Sequence, residues 1–348
     1  MDEKILRIVD VNFNRTKEGL RVIEEVCRFV LEDLTLTNRV RSLKREIITT
    51  LSIFNTSFLK RESEKDLGKN FLPTPYPDFQ KLVKANFSRT EESLRVLEEV
   101  LRLKNPKVSS NLMQIRFQCY SLEKDVLTSL LKWEKLKLME IYMIIDEETA
   151  KKDAVQVARE AMKGGVKFLQ LRDKKSSLFE FIEKGKKIRE ITYESNAIFI
   201  INDRVDVALC VDADGVHLGK KDFPIKEARK ILSGKIIGAS AHSLEEAQEM
   251  EEEGADYISL GPIFETPFKP ELKPLGLGVL KEAKRILKVP LVAIGGINFK
   301  NLVDVLKTGV DGVAMIRNLQ EKGEIRENCK KAIEILKKFK KLQGASST

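Results

Sequence analysis

From Leu138 onward the chain alternates short apolar, β-branched runs with amphipathic stretches, and that grammar leaves few folds open. The apolar runs are Ile141–Ile145, Val166–Leu171, Ala197–Ile201, Gly215–Leu218, Lys235–Ala239, Tyr257–Leu260, Leu291–Ile294 and Gly312–Ile316. Helical patterns near 151–163, 177–195, 203–211, 225–232, 243–253, 277–288, 298–308 and 325–341 lie between or after them. Strands that are apolar on both faces and separated by helices build a parallel sheet with both faces covered. Eight such units in about 200 residues fit an α/β (β/α)8 TIM barrel at the small end of its size range. An open doubly wound sheet is the alternative, but no G-x-G-x-x-G follows the first run. The barrel is expected over residues 138–342, followed by a disordered tail at 343–348.

Barrels of this kind carry their chemistry at the C-terminal ends of the strands. The second run breaks out of its apolar pattern as Gln170-Leu171-Arg172-Asp173-Lys174. Gln170, Arg172 and Lys174 alternate with period 2 and so point to one side of a continuing strand. Two cations and an amide aimed together suit a polyanion, because charge-assisted bonds to phosphate are strong and directional. A solvated strand end is the plainer reading. Strand 3 ends in Asn202-Asp203, strand 4 in His217-Leu218-Gly219 leading to Asp222, and strand 5 in Ser240-Ala241-His242. Strand 6 opens into the stretch Gly261 to Lys269, which includes Thr266 and is long enough to act as a lid. Strand 7 gives Gly295-Gly296.

Each of these also has a structural role open to it. Asn202-Asp203 and Ser240 could cap helices, His217 could be a satisfied interior histidine, and Gly295-Gly296 could be a tight turn. Their coincidence at successive strand ends points instead to a site. Asp203 and Asp222 offer hard oxygen ligands suited to Mg²⁺ held partly by substrate phosphate. Arg172, Lys174 and Lys269 would neutralise a diphosphate and make it a good leaving group. Gly296 and Ser240 suit a monophosphate. No Ser–His–Asp arrangement or metal-binding histidine cluster is present, which sets aside covalent hydrolysis and zinc chemistry.

Residues 1–137 follow a different pattern. Asn12–Val26 recurs without gaps as Asn86–Val100. Each copy opens on an N-cap-like Asn or Ser, followed by apolar residues at helical spacing. Leu20, Ile23 and Val26–Cys27 form one face, with Val22 beside it; Leu94, Leu97 and Val100–Leu101 repeat it. Further helical patterns at 37–59 and 109–137, interrupted by Leu72–Pro77, predict an all-α domain with an internal two-fold repeat. Asn12, Arg15, Arg21 and Glu24 return as Asn86, Arg89, Arg95 and Glu98. Packing alone does not require polar residues to recur, which favours a ligand site. Pairing of Arg21 with Glu24 or Glu25 along the helix is a sufficient structural explanation, so both readings stand.

Composition narrows the partners. With 42% hydrophobic and 33% charged residues, the chain can bury sizeable cores. Its net charge of +9 lies in interspersed Lys and Glu without long basic runs or aromatic interleaving, which argues against nucleic acid and suits small anionic substrates. No apolar stretch approaches the roughly 20 residues that span a bilayer, so no membrane partner is expected. Cys27, Cys119, Cys210 and Cys329 lie far apart with no CxxC pair, as buried apolar residues in a reducing cytoplasm would. No secretory leader is evident, and a cytoplasmic protein is expected.

The strand-end motifs resemble those of the thiamin-phosphate synthase family over essentially all of residues 138–340. They are Gln170–Lys174, Ile201–Arg204, Asp214–Gly219, Ser240–His242, Gly261–Phe264, Pro274–Leu277, Ala293–Ile297 and Gly312–Ile316. The resemblance implies condensation of hydroxymethylpyrimidine diphosphate with a thiazole phosphate, releasing diphosphate and forming thiamin phosphate through a pyrimidine carbocation. It implies that Gln170 contacts the pyrimidine and that Arg172, Lys174, Asn202 and Lys269 hold diphosphate. Asp203 and Asp222 would bind Mg²⁺, with Ser240 and Gly296 near the substrates. Three positions depart from the family pattern. Phe268, in Glu265-Thr266-Pro267-Phe268-Lys269, stands where a hydroxyl is usual; Lys220 replaces a Gln and Arg317 a small Ser.

The first domain resembles the helical module fused to this synthase, through Asn12-x-Asn14-Arg15, Glu18–Val22, the second copy, Arg61 and Asp66-Leu67-Gly68. That module implies a hydroxymethylpyrimidine-phosphate kinase using ATP, although the chain has no P-loop. The alternative is a barrel that isomerises a thiazole phosphate, with His242 or His217 as base and a non-catalytic dimerisation or docking domain. The cation and carboxylate set argues against it, since an isomerase holds no diphosphate. Whether the chain forms a homo-oligomer is left open by the sequence.

Overall fold

A computed structural model describes residues 3–54, 75–321 and 324–345. Arg61 and Asp66-Leu67-Gly68 lie outside the described residues. The chain divides into two compact units, Met1–Trp133 and Glu134–Thr348.

The first unit is built from α1 (Glu3–Phe29), α2 (Leu34–Leu51), α3 (Phe79–Arg102) and α4 (Pro106–Leu136). The two sequence copies lie on α1 and α3, which pack against each other. Leu20, Ile23 and Cys27 on α1 and Leu94, Leu97 and Leu101 on α3 are wholly buried in one core. Gly19 admits α3 closely: a Cβ there would lie 2.4 Å from Thr90 Oγ1 and 2.9 Å from the Asn86 carbonyl oxygen. The expected N-caps are corrected. Asn12 and Asn86 sit inside their helices, because each amide donates to the carbonyl four residues back, Ile8 at 2.9 Å and Leu82 at 2.8 Å. The true cap of α3 is Asp78, whose carboxylate accepts from Lys81 N.

The second unit is the expected barrel. Its strands are β1 (Ile141–Ile145), β2 (Phe168–Leu171), β3 (Ile198–Asn202), β4 (Gly215–Leu218), β5 (Ile236–Ala241), β6 (Tyr257–Leu260), β7 (Leu291–Ile294) and β8 (Gly312–Met315). Each pairs in parallel with the next, and β8 closes on β1 with Ile141 opposite Val313. The helices are α5 (Glu147–Ala150), α6 (Ala154–Lys163), α7 (Leu178–Glu194), α8 (Val205–Cys210), α9 (Ile225–Ile231), α10 (Leu244–Glu252), α11 (Gly276–Ile286), α12 (Leu302–Leu306), α13 (Arg317–Gln320) and α14 (Ile325–Ala345). The expected tail begins too early: the helical pattern carries α14 through Gln343 to Ala345.

Period-2 alternation divides the strand residues between two cores. Tyr142, Ile144, Phe168, Ile198, Ile200, Tyr257 and Val292 fill the barrel interior, while Met143, Leu169, Leu171, Phe199 and Ile201 pack against the helices. Cys27, Cys119 and Cys329 are buried as expected, but Cys210, on the last turn of α8, is exposed. No helix among the described residues is long and apolar enough to cross a membrane.

An aspartate immediately precedes each of β4, β6 and β8 and ties the barrel at its N-terminal end. Asp214 Oδ2 accepts from Phe199 N at 3.0 Å, Asp256 Oδ2 from Ile237 N at 2.8 Å, and Asp311 Oδ2 from Leu291 N at 2.8 Å. Each also takes a cation from a surrounding helix: Arg189 of α7 at 2.7 Å, Arg229 of α9 at 2.6 Å and Lys284 of α11 at 2.5 Å. One carboxylate thus fixes an amide at the start of the neighbouring strand and a surrounding helix. Removing it strands a buried N–H and a partly buried cation. Asp214→Ala is therefore expected to cost roughly 2–4 kcal/mol of stability, measured by urea unfolding, with no loss of barrel strand content in the native baseline.

Candidate active site

At the opposite end of the barrel the strands open into a cavity of about 490 Å³. Gln170, Arg172, Lys174, Asn202, Asp203, Asp222, Ser240, Thr266, Lys269 and Gly296 all line it, so every barrel residue singled out from the sequence meets there. The positions that depart from the family pattern fall differently. Phe268 and Arg317 line the cavity, Arg317 paired with Glu321 at 2.9 Å, whereas Lys220 reaches Glu249 at 3.0 Å and Glu246 at 3.5 Å on α10.

Three cations crowd one side. Arg172 donates to Asp146 Oδ2 at 2.5 Å, and Lys174 Nζ lies 3.9 Å from Asp203 Oδ2. Lys269 comes from the β6–α11 loop and reaches His242 Nε2 at 2.9 Å, while His242 Nδ1 donates to the Gly261 carbonyl at 2.6 Å. Burial, together with the charges of Lys174 and Arg172, pulls the Lys269 ammonium below the usual lysine range. A cation depressed by neighbouring cations marks a place where an anion is electrostatically welcome.

The carboxylates show the reverse. Asp203 follows β3 in the left-handed region (φ 62°), which Asp tolerates better than most residues. Its backbone N–H donates to the His217 carbonyl at 2.8 Å. Burial, then the hydrogen bond to and charge of Asp222, raise its pKa to about 6. Asp222 Oδ2 accepts from Gly219 N at 2.7 Å. No group of three or more His, Cys, Asp or Glu converges on a metal position among the described residues. Two crowded carboxylates beside a cation cluster fit Mg²⁺, which takes one or two protein carboxylates and completes its shell with phosphate and water.

Under the cavity lies a polar chain that sequence reasoning missed. Gln170 Nε2 donates to Tyr142 OH. Tyr142 OH meets Tyr257 OH at 2.9 Å, Tyr257 OH meets His217 Nδ1 at 2.9 Å, and His217 Nε2 meets Ser240 Oγ at 2.8 Å. His217 is thus a satisfied interior histidine; burial pushes its pKa down to about 4 and keeps the ring neutral. Asp146 was also missed. It is buried, holds Arg172, and receives its own backbone support from Gln320. Its place directly after β1 was readable as a strand end, but the acidic stretch that follows it reads as a helix start.

The candidates in the helical unit do not converge. Glu24 is buried among Arg41 at 2.8 Å and Arg21 and Lys44, each at 3.7 Å. Burial raises its pKa, but these cations outweigh it and hold the carboxyl below its usual value. Glu98 is buried among Arg95 at 2.7 Å and Arg102 and Arg116, each at 3.0 Å. The recurrence of Arg21 and Glu24 as Arg95 and Glu98 therefore has a sufficient structural cause, one buried carboxylate per half. Asn12 and Asn86 bond within their helices; Arg15 and Arg89 are exposed, Arg89 reaching Asn86 Oδ1 at 3.5 Å.

Comparison with known proteins agrees with this geometry. Residues 141–319 match the family described as thiamine monophosphate synthase, and residues 7–125 match the ThiD2 family. The chain is 38% identical over 328 residues to the thiamine-phosphate synthase of Nostoc sp. strain PCC 7120, covering 92% of this chain and 91% of that protein. The chain belongs to the thiamine-phosphate synthase family. Its synthase relatives include that of Synechocystis sp. strain PCC 6803, 38% identical over 91% of this chain and 92% of that one. The solved thiamine phosphate pyrophosphorylase of Pyrococcus furiosus superposes with a TM-score of 0.56 at 42% identity, covering 59% of this chain and 98% of its own.

One group in the helical unit of this synthase is poised to titrate. Glu91 on α3 replaces the Lys17 of the first copy, and its Oε1 is buried without a hydrogen-bond partner. Burial and then the charge of Glu123 raise its pKa to about 7, against the opposing pull of Arg116. A carboxyl whose folded value lies above its unfolded 4.5 binds more protons when folded between those values, so it lowers stability as pH rises from 4.5 to 7. Glu91→Gln is expected to leave the unfolding temperature unchanged near pH 4.5 and to raise it increasingly up to pH 7, as calorimetry at stepped pH would show.

Proposed function

We propose that the barrel joins hydroxymethylpyrimidine diphosphate to a thiazole phosphate, with the strand-end residues in the following roles. Arg172, Lys174, Asn202 and Lys269 bind the diphosphate. Gln170 reads the pyrimidine, and Ser240, Thr266 and Gly296 border the substrates. Asp203 and Asp222 would hold Mg²⁺, which would further neutralise the charge that builds on the leaving diphosphate. The observation that carries this reading is the pairing of a depressed Lys269 with a raised Asp203 in one cavity. Each awaits the opposite charge, and a magnesium diphosphate brings both.

The chemistry asked of these residues is electrostatic. The bond between the pyrimidine methylene and the diphosphate oxygen breaks, the electron pair leaves with oxygen, and the thiazole nitrogen forms the new bond to the methylene. Cations placed before the reaction lower the barrier because they need no reorganisation as charge develops. The neutral, doubly bonded His217 is suited to no proton abstraction, consistent with a step that needs no strong base. Asp146 keeps Arg172 aimed at the cavity by an ion pair buried on its acidic side.

For the helical unit we propose a hydroxymethylpyrimidine-phosphate kinase that uses ATP. Its support is the ThiD2 match over residues 7–125, since the recurring glutamates Glu24 and Glu98 are occupied in structural ion pairs. Both activities are read in one experiment with the full chain and Mg²⁺. The pyrimidine diphosphate and thiazole phosphate should give thiamin phosphate, and Lys174→Ala should lower kcat/KM about 100-fold. The pyrimidine monophosphate with ATP, thiazole phosphate omitted, should accumulate the diphosphate. Absence of the first product at high enzyme concentration sinks the synthase reading; absence of the second sinks the kinase reading alone.

A further inference from the structure

His242 is held on three sides. It directly follows β5, and its backbone N–H donates to Glu246 Oε2 at 2.9 Å in the first turn of α10. Its Nδ1 donates to the Gly261 carbonyl at 2.6 Å; that oxygen can only accept, so Nδ1 carries a hydrogen. Its Nε2 faces Lys269 Nζ at 2.9 Å. A lysine amine holds its proton more tightly than an imidazole, so the ammonium donates and Nε2 accepts. Both ring nitrogens are engaged, and neither is free to act as a base.

The ring's two side-chain partners belong to one loop. Gly261 directly follows β6, and Lys269 lies further along the β6–α11 loop, on the cavity wall. The ends of that loop are tied down by backbone bonds: Ile263 N to the Ile294 carbonyl at 2.9 Å, Phe264 N to the Gly295 carbonyl at 3.0 Å, and Leu275 N to the Pro262 carbonyl at 2.8 Å. Its middle is not. Phe268 N donates to Thr266 Oγ1 at 3.4 Å and Leu272 N to the Lys269 carbonyl at 3.2 Å, both inside the loop. Among the described residues, the hydrogen bond that carries residues 265–273 to another element is the one from Lys269 to His242. Phe268 adds no polar side-chain atom, so Lys269 is the cation that this loop presents to the cavity.

We infer that His242 is a positioning residue: its neutral ring bridges the stem of the β6–α11 loop to Lys269 and holds the ammonium in place for the anion. Lysine is a flexible side chain, and fixing it before the ligand arrives removes that ordering from the cost of binding. An ammonium has three donors, so with one on His242 two remain for phosphate oxygens. The neutrality of the ring matters. A carboxylate in its place would also orient Lys269 but would offset its charge, whereas an imidazole orients it and leaves the whole charge to act on the anion.

This inference rests on the diphosphate reading of the cavity, and binding is measured apart from turnover so that the two fail separately. Titration calorimetry with inorganic diphosphate and Mg²⁺ gives Kd for the full chain and its variants. His242→Asn keeps a donor for Gly261 at the place of Nδ1 but cannot reach Lys269, and should weaken binding about tenfold. His242→Gln puts an acceptor near the place of Nε2 and should stay within about threefold of the wild type. Lys269→Ala should weaken binding at least as much as His242→Asn. Adding His242→Asn to Lys269→Ala should then change Kd less than about twofold, because the ring has nothing left to hold. A merely structural role would make the two substitutions additive and would treat Asn and Gln alike; either result overturns the inference, as does wild-type binding by His242→Asn. A second measurement needs no change at His242. The chain has two histidines, so ¹⁵N-labelled imidazoles are readily assigned, and the His242 Nε2 resonance should shift in Lys269→Ala. A resonance that stays in place overturns the inference. A wild type that binds no magnesium diphosphate overturns the diphosphate reading and the inference with it, whereas one that binds it but forms no thiamin phosphate overturns the synthase reading alone.

Discussion

Closure of β8 onto β1 is the constraint on which everything else in the second unit depends. With all neighbours parallel, the eight C-terminal strand ends face one side, and residues far apart in sequence become neighbours around one mouth. The opposite rim is bound together by Asp214, Asp256 and Asp311, each joining a neighbouring strand's amide to a helix cation. The two rims treat charge oppositely. At the N-terminal rim each carboxylate meets a cation and an amide, and the result is stability. At the C-terminal rim like charges are left close together, and the result is affinity for something absent from the chain.

That imbalance costs the fold and serves the site. Lys269 is held below its usual range by burial and its cationic neighbours, and Asp203 is held above its own by burial and Asp222. The magnesium diphosphate proposed for this cavity would relieve both at once, coupling its binding energy to the removal of an electrostatic cost already present. Beneath these charges the interior is neutral and linked by hydrogen bonds, from Gln170 through two tyrosines to His217 and Ser240.

Much of this was legible in the sequence. The eight apolar runs give the barrel because parallel strands are buried on both faces and so lose the alternation that would blur them into other patterns. Strand ends were readable for β2 through β7, and all ten candidate residues there line the cavity. What stayed hidden were partners joined only by tertiary structure. Tyr142 and Tyr257 read as apolar strand residues, because their hydroxyls matter only when β1 and β6 face each other across the closed interior. Asp146 looked like the start of a helix, and its hold on Arg172 needs β1 beside β2. In the helical unit the repeat was plain, yet the N-caps were misplaced: Asn12 and Asn86 bond back along helices that begin several residues earlier. The recurring Arg and Glu residues were equally compatible with a ligand and with ion pairs, and the three cations around each buried glutamate supply the structural cause.

The central claim is that one strand-end cavity holds a metal diphosphate between its cations and its carboxylate pair. A crystal structure of the full chain grown with diphosphate and Mn²⁺ tests it directly, since the anomalous signal of manganese locates the ion independently of the protein density. The account places diphosphate within hydrogen-bonding distance of Arg172, Lys174 and Lys269, with the anomalous peak bridging it to Asp203 and Asp222. Diphosphate bound away from the strand ends, or a manganese peak that neither carboxylate touches, would contradict it.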